Sequence, residues 1–213
     1  MEKRIIDEAL YALGNAPKEG EKIIYLHQSH KVDPAILPSL FQFAIEAYAS
    51  GYTLMIPMFS STLETVLEAA FILDRPLYVM LSRGLGNFKL NSMGHRIMVI
   101  RGGFLAPAYD SELDRIGYMV RARILAVERS CATLLLDNDY QDIARETLDR
   151  GHDLAVLRCC LDDKEILKLA REGAPVLDSF SSWMEYPKAI SFEMEDGPFR
   201  EPSSGRRFSV LFL

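Results

Sequence analysis

The sequence predicts an α/β protein with a doubly wound, mainly parallel sheet of about six strands, helices on both faces and a C-terminal β-like tail. Two observations lead to this class. Short apolar runs, typical of strands covered on both faces, recur along the chain. Amphipathic segments with recognisable caps separate these runs, and right-handed connections of this kind place helices on both sides of a sheet. The predicted strands begin near residues 23, 53, 77, 97, 132 and 154.

The first predicted strand, Ile23–Leu26, is an unbroken apolar run. Asp33 and Pro34 then predict a helix start, because aspartate accepts from the unpaired amides and proline fits the first helical position. Apolar residues at three- and four-residue spacing predict one buried helix face: Leu37, Leu40, Phe41, Ala44, Ile45 and Tyr48. Gly51 is expected to end this helix in a left-handed conformation.

The next three predicted strands and a helix complete the first half. The strands are Thr53–Ile56, Leu77–Leu81 and Ile97–Ile100. Ser61 and Glu64 have the spacing of a capping box, which predicts that a helix starts at Ser61.

A longer helix is predicted from about Asp110 to Arg129, ahead of the fifth strand. Its spacing assigns these residues to the core side: Ile116, Val120, Ile124 and Val127. Arg121 then lies opposite the core and Arg123 borders it. The flat donor forks of arginines suit phosphates, and a solvated helix face fits the same pattern.

Two strands and two helices follow. The strands are Ala132–Leu136 and Leu154–Leu157, and Asp137 with Asn138 is expected to cap the helix between them. Asp162–Glu165 opens another capped helix.

The chain is predicted to divide into a domain of residues 1–186 and a tail of residues 187–213. The tail contains two β-like runs, Ala189–Phe192 and Phe208–Leu213. These runs fit either a hairpin on the sheet edge or an arm that reaches a neighbouring subunit. The last run is too apolar to be left in water.

Composition narrows the function classes. The 213 residues include 24 Lys and Arg and 30 Asp and Glu, so the net charge is −6. This charge excludes a strongly basic nucleic-acid-binding surface over the whole protein, but it is compatible with a local basic patch. No run approaches the roughly 20 apolar residues of a membrane span, and the charged Met1–Arg4 is untypical of a signal peptide. Cys131, Cys159 and Cys160 lack the spacing of a disulfide framework, so a cytoplasmic location is expected.

Candidate ligand contacts follow the strands, because open parallel sheets bind ligands at the carboxyl ends. They are Ser29, His30 and Lys31 after the first strand, Ser60, Ser61 and Thr62 after the second, and Arg83 and Lys89 after the third. The hydroxyls at residues 60–62 suit an anion at a helix start, and capping alone also explains them.

The sequence carries no strong sign of chemistry. His27 and His30 have no identifiable third ligand for a metal. No nucleophile elbow occurs, neither Cys159 nor Cys160 has an assignable histidine base, and the glycine pattern of dinucleotide sites is missing. No catalytic residue, metal or cofactor is therefore predicted.

Four segments resemble a known family. Residues 118–126 resemble its "F-x-x-R-N-R-I-I-A" segment, 150–156 its "G-R-D-V-F-A-V", 167–177 its "L-I-x-x-G-A-x-L-V", and 84–88 its "G-L-D-x-x-Y" loop. In this order they resemble the Rossmann-like domain of the DNA-processing protein A (DprA/Smf) family, in the superfamily that includes the LOG-type proteins. The resemblance spans roughly Ile23–Glu185.

Three glycine-rich loops of that family differ here. Its "G-S-R" after the first strand is replaced by His27–His30, and its "G-L-A-x-G-I-D" by Pro57–Glu64. Its "S-G-S-L-I-T" loop is missing between Asp137 and Asp142.

The resemblance implies binding of single-stranded DNA and its handover to a RecA-type recombinase, usually by a homodimer and without chemistry. Arg121 and Arg123 match the family pattern, and Ser29 with His30 or Lys31 stands in for its first-loop arginine. Arg83 and Lys89 lie where the family has basic phosphate contacts.

Two alternatives remain open. A LOG-type hydrolase of nucleoside monophosphates is suggested by Ser60–Thr65, which resembles part of "P-G-G-x-G-T-x-x-E" without its glycines. A degenerate paralogue would keep the fold and act as a structural or protein-interaction module. Fold alone does not decide among them.

Overall fold

The computed structural model describes residues 3–7, 10–58, 60–82, 84–85, 88–108, 115–137, 141–165, 167, 174–185, 208–211 and 213. The strands are β1 (Lys3–Asp7), β2 (Leu10–Gly14), β3 (Ile23–His27), β4 (Thr53–Pro57), β5 (Leu77–Met80), β6 (Gly103–Pro107), β7 (Ala132–Leu135), β8 (Asp153–Leu157), β9 (Val176–Leu177) and β10 (Phe208–Leu211). The helices are α1 (Leu37–Ala49), α2 (Ser60–Ile72), α3 (Ser92–Val99), α4 (Arg115–Glu128), α5 (Gln141–Asp149) and α6 (Phe180–Glu185). Short 3-10 helices lie at Pro34–Ile36 and Arg158–Cys160.

All the described strands belong to one sheet, in the order β1-β2-β6-β5-β4-β3-β7-β8-β10-β9. The strands from β3 to β10 pair in parallel. β4, β5 and β6 extend to one side of β3, and the chain then returns through α4 to place β7 on the other side. The doubly wound α/β class is therefore confirmed, and its winding reverses between β3 and β7.

The strands bury side chains on both faces. One face packs against α1, α2 and α6, and the other against α4 and α5. Residues of β3 alternate between these layers: Ile24 and Leu26 belong to the first, Ile23 and Tyr25 to the second. Within the described part of the chain, no helix is both long and apolar enough to span a membrane.

The fourth strand was placed wrongly by the sequence prediction. Instead of forming a strand, Ile97–Val99 ends α3 and Ile100 is its C-cap; the fourth parallel strand is β6. Asn91 starts α3 by accepting from the Gly94 amide at 2.9 Å. Ile97 is buried while Val99 is 72% exposed, which suits a helix anchored along one face.

The antiparallel extension formed by β1 and β2 was not predicted. β2 pairs with β6 and carries β1 on its outer side. Leu10 and Ala12 are buried on alternate positions while Tyr11 and Leu13 are only partly covered. An alternation of only five residues, preceded by a charged segment, is too short to predict a strand from the sequence.

Helix boundaries agree in part with the prediction. Asp33 accepts from the Ala35 amide at 2.9 Å, although the first turn is a 3-10 helix, and Gly51 has a φ of +84°. Asp162 and Glu165 exchange two hydrogen bonds of 2.8 Å, which confirms that capping box. The prediction at Ser61 is wrong, because α2 begins one residue earlier and Ser61 lies inside it.

The buried face of α4 differs from the predicted one. The described buried residues are Ala122, Leu125, Ala126 and Val127. Val120 is 50% exposed, contrary to the prediction, and Ile124 is only partly buried. Of the predicted core-side residues whose side chains are described, Val127 is buried as predicted. The side chain of Ile116 lies outside the described residues.

The end of the chain joins the same sheet. β10 lies between β8 and β9 and is parallel to both. The run Ala189–Phe192 falls outside the described residues. The division of the chain at residue 186 therefore stays a prediction.

Candidate functional site at the carboxyl edge of the sheet

The loop after β3 is tied to the end of β7 at the point where the winding reverses. The Leu136 amide donates to the His27 carbonyl at 2.9 Å, which continues the pairing of the two strands. Asp137 Oδ2 then accepts from the amides of Ser29 at 2.5 Å and His30 at 2.9 Å. Open α/β sheets bind their ligands in the crevice at this position.

The same loop is tied to α2 by a glutamine. Gln28 Nε2 donates to the His30 carbonyl at 2.6 Å, and Gln28 Oε1 accepts from the Thr62 hydroxyl at 2.5 Å. Gln28 and Thr62 are buried. The loop is therefore fixed from both sides, by Gln28 and by Asp137.

A row of polar side chains lies beneath this loop, on the face that α4 covers. His27 Nδ1 lies 3.4 Å from the Tyr25 hydroxyl, and His27 Nε2 lies 3.1 Å from the Ser29 hydroxyl. All three residues are buried. Burial raises the pKa of Tyr25 well above its ordinary value, the positive charge of Arg123 lowers that pKa, and Asp137 raises it. Arg123 and Asp137 therefore both lie within electrostatic range of one buried hydroxyl.

The predicted site residues fall into three groups. Ser29, His30 and Thr62 are brought together through Gln28, but Ser29 and Thr62 are buried and already hydrogen bonded. Four of the predicted residues that the structure describes are exposed, His30, Lys31, Lys89 and Arg121, while Arg123 and Ser61 are partly exposed. Lys89 follows β5, which lies two strands from β3, or roughly 10 Å at the usual strand spacing. Arg83 and the side chain of Ser60 lie outside the described residues.

The prediction missed the residue that organises the loop. Asp137 was expected to cap a helix, but it accepts from two amides more than 100 residues earlier in the chain. Tyr25 was also missed because it lies in a strand that reads as core, and Gln28 was missed although it lies in the loop after β3. Only the strand order could have indicated the contact of Asp137 with the loop after β3. The ends of β3 and β7 are neighbours because the winding of the sheet reverses between them.

Two adjacent cysteines lie at the same edge, after β8. Cys160 Sγ is 3.4 Å from the Leu136 carbonyl oxygen, beside Asp137, and Cys159 is exposed. Hydrogen bonding from the Cys160 thiol, supported by the Ser39 hydroxyl and the charge of Arg158, lowers the pKa of Cys159 to about 6. Cys159 is therefore expected to be a thiolate at neutral pH.

We expect iodoacetamide to alkylate Cys159 faster than Cys131 at pH 7. At a pKa of about 6, roughly nine-tenths of the Cys159 thiol is ionised at that pH. Burial raises the pKa of Cys131, whose Sγ donates to the Ile23 carbonyl at 3.2 Å. Peptide mass spectrometry should show the Cys159 rate level above pH 7 and falling as the pH drops through 6. Cys131→Ser should leave the fast phase intact and Cys159→Ser should remove it, and the opposite pattern would contradict the assignment.

Comparison with known proteins supports the fold through solved structures. No protein-family model matches the chain, and no curated protein matches it. DNA processing protein A from Streptococcus pneumoniae has 11% identity and a TM-score of 0.60, over 78% of this chain and 61% of that one. DNA processing protein A from Helicobacter pylori, known for its single-stranded DNA binding mode, has 17% identity and a TM-score of 0.58, over 77% of this chain and 79% of that one. The chain thus spans less than two thirds of the pneumococcal protein, and its predicted resemblance to the DprA domain is confirmed in the fold.

Proposed function

We propose that the protein binds single-stranded DNA at the carboxyl edge of its sheet, without chemistry. The main support for this proposal is that α4 lies close to the loop after β3. The charges of Arg123 and Asp137 both act on the buried Tyr25 hydroxyl, so α4 and the loop after β3 lie near each other at this edge of the sheet. His30 and Lys31 are exposed on the loop. The fold shared with the two DNA processing proteins supports the same assignment.

Binding at this edge has to be local. The net charge of −6 opposes attraction of DNA to the protein as a whole. Side-chain cations at this edge of the sheet would supply the phosphate contacts, each of which releases counterions. Affinity should therefore depend strongly on salt although the protein is acidic.

The proposal includes the assembly and pathway that the resemblance implies. A homodimer would bind the DNA and pass it to a RecA-type recombinase, in recombination or DNA uptake in the cytoplasm. The support for these parts is the shared fold alone. Sedimentation of the protein alone would measure the dimer, and co-sedimentation with a purified RecA-type recombinase, with and without oligonucleotide, would measure the recombinase contact.

Fluorescence anisotropy of a labelled oligo-dT tests the proposal. We expect binding at micromolar protein in low salt, with a logarithmic affinity that falls linearly with the logarithm of salt concentration. No binding at micromolar protein would reject the DNA function. It would favour the degenerate paralogue, whose arginines meet an acidic protein. Release of free base from AMP would instead favour the hydrolase.

Arg121→Ala is expected to weaken oligo-dT binding and to flatten its salt dependence by about 0.7 to 1 unit of slope, because one phosphate contact is lost. Arg121 is exposed on α4, so the free energy of unfolding should change by no more than about 0.5 kcal/mol. Arg75→Ala is the matched control, since Arg75 is exposed just before β5, at the opposite edge of the sheet. Equal salt slopes for the two variants would remove Arg121 from the site.

A further inference from the structure

We propose that the amides of Ser29 and His30 form a phosphate site and that the Asp137 carboxylate is its resident occupant. The carboxylate of the chain itself would then keep this site closed to phosphate. The inference deepens the proposed DNA function, and rests on it only in taking the phosphate to be that of a nucleotide.

Two consecutive amides converge on one anionic oxygen. The Ser29 and His30 amides both donate to Asp137 Oδ2, at 2.5 and 2.9 Å. Successive amides that point at one place form a concave anion-binding nest, and phosphate is a common guest of such nests. This pair lies between the ends of β3 and β7, where sheets of this topology bind ligands. The two amides therefore already bind an oxyanion, which is the side-chain carboxylate of Asp137.

The loop that carries the two amides has a second anchor besides Asp137. Gln28 Nε2 donates to the carbonyl of His30, and Gln28 is fixed in turn by the Thr62 hydroxyl. Both side chains are buried. Removal of the carboxylate should therefore leave two aligned donors and not a collapsed loop.

The carboxylate uses only one of its two oxygens. Asp137 Oδ1 is buried and has no hydrogen-bond partner among the described residues. Buried carboxylate oxygens in a purely structural contact are normally paired, because an unpaired one loses its hydration without compensation. The carboxylate therefore fills the nest with one oxygen and leaves the other without a hydrogen bond to any described residue.

Titration of inorganic phosphate, followed by ¹⁵N-resolved amide shifts, tests the inference. In Asp137→Ala, the Ser29 and His30 amides should shift on addition of phosphate, with an affinity at least tenfold tighter than that of the wild type. Asp137→Asn is the matched control, since its side-chain oxygen still accepts from both amides and should keep phosphate affinity within threefold of the wild type. Asp137→Ser is the second emptied variant, because its hydroxyl is too short to reach both amides.

Three results would overturn the inference. The first is a folded Ala or Ser variant with wild-type phosphate affinity. The second is a phosphate response at amides other than these two. The third needs no variant: wild-type protein whose Ser29 and His30 amides already bind phosphate in the millimolar range.

An oligo-dT titration of the same proteins separates this inference from the DNA function. Phosphate binding by Asp137→Ala without DNA binding by any of the proteins would support the nest and reject the DNA function. DNA binding by the wild type, with no gain of phosphate affinity in the Asp137→Ala and Asp137→Ser variants, would support the DNA function and reject the nest. If both hold, Asp137→Ala should bind oligo-dT more tightly and with a steeper salt dependence.

Discussion

Gly103→Ala is expected to lower the free energy of unfolding by about 3 kcal/mol, the upper end of what overpacking usually causes. A Cβ at Gly103 would lie 1.9 Å from the backbone oxygen of Asn15. That backbone is pinned, since the Asn15 amide donates to the Gly102 carbonyl at 3.1 Å and its side chain donates to the Arg101 carbonyl at 2.7 Å. The added methyl group therefore has to displace main chain, and β2 should separate from β6. Urea unfolding, followed by circular dichroism, measures the loss.

Gly94→Ala is the matched control, because it adds the same methyl group in the neighbouring helix. Its Cβ would meet Leu90 Cδ2 at 2.6 Å, the far end of a flexible side chain that can rotate away. Alanine is also favoured over glycine in a helix, by roughly 1 kcal/mol. Gly94→Ala should therefore be nearly neutral or stabilising. If Gly103→Ala were as stable as Gly94→Ala, the close approach at β6 would be disproved.

The contrast between α3 and β6 shows how far sequence patterns predict this fold. Apolar runs located β3, β4, β5, β7 and β8, because each is buried on both faces and carries no competing helical signal. Ile97–Ile100 is equally apolar but follows an asparagine that caps a helix. The true strand starts at Gly103, where the sequence reads as a turn. From the sequence alone, a glycine that is required by close packing cannot be distinguished from a glycine in a turn. The distinction needs the position of the adjacent strand.

The candidate site was predictable only in its location. The order of strands and loops placed Ser29 and His30 at the carboxyl edge of the sheet, and both lie there. The partner of their amides was not predictable, because Asp137 is brought to them by the reversal of winding, and no local pattern reports that contact. The same holds for Thr62, whose hydroxyl reads as available to an anion but is used by Gln28.

Phe180→Ala is expected to lower the free energy of unfolding by about 3 to 5 kcal/mol, the range for a phenylalanine removed from a core. Phe180 is 1% exposed and starts α6. Its ring meets those of Phe43, Tyr52 and Trp183 at centroid distances of 5.4, 5.3 and 6.1 Å. Alanine would leave a cavity between α6, α1 and the loop before β4, and the lost edge-to-face contacts add to the lost burial.

This change isolates packing from hydrogen bonding. The Phe180 amide donates to Glu46 Oε2 at 3.0 Å, and that bond is available to alanine, so the loss of stability reports the ring alone. Trp183 is the single tryptophan of the chain, and its fluorescence should follow unfolding and show whether the cavity admits water to the indole. Ile72→Ala is the control, because Ile72 is 62% exposed and its truncation should cost less than about 1 kcal/mol. A Phe180→Ala protein as stable as Ile72→Ala would mean that α6 is not packed on α1. The rings around Phe180 would then not stabilise the position of α6.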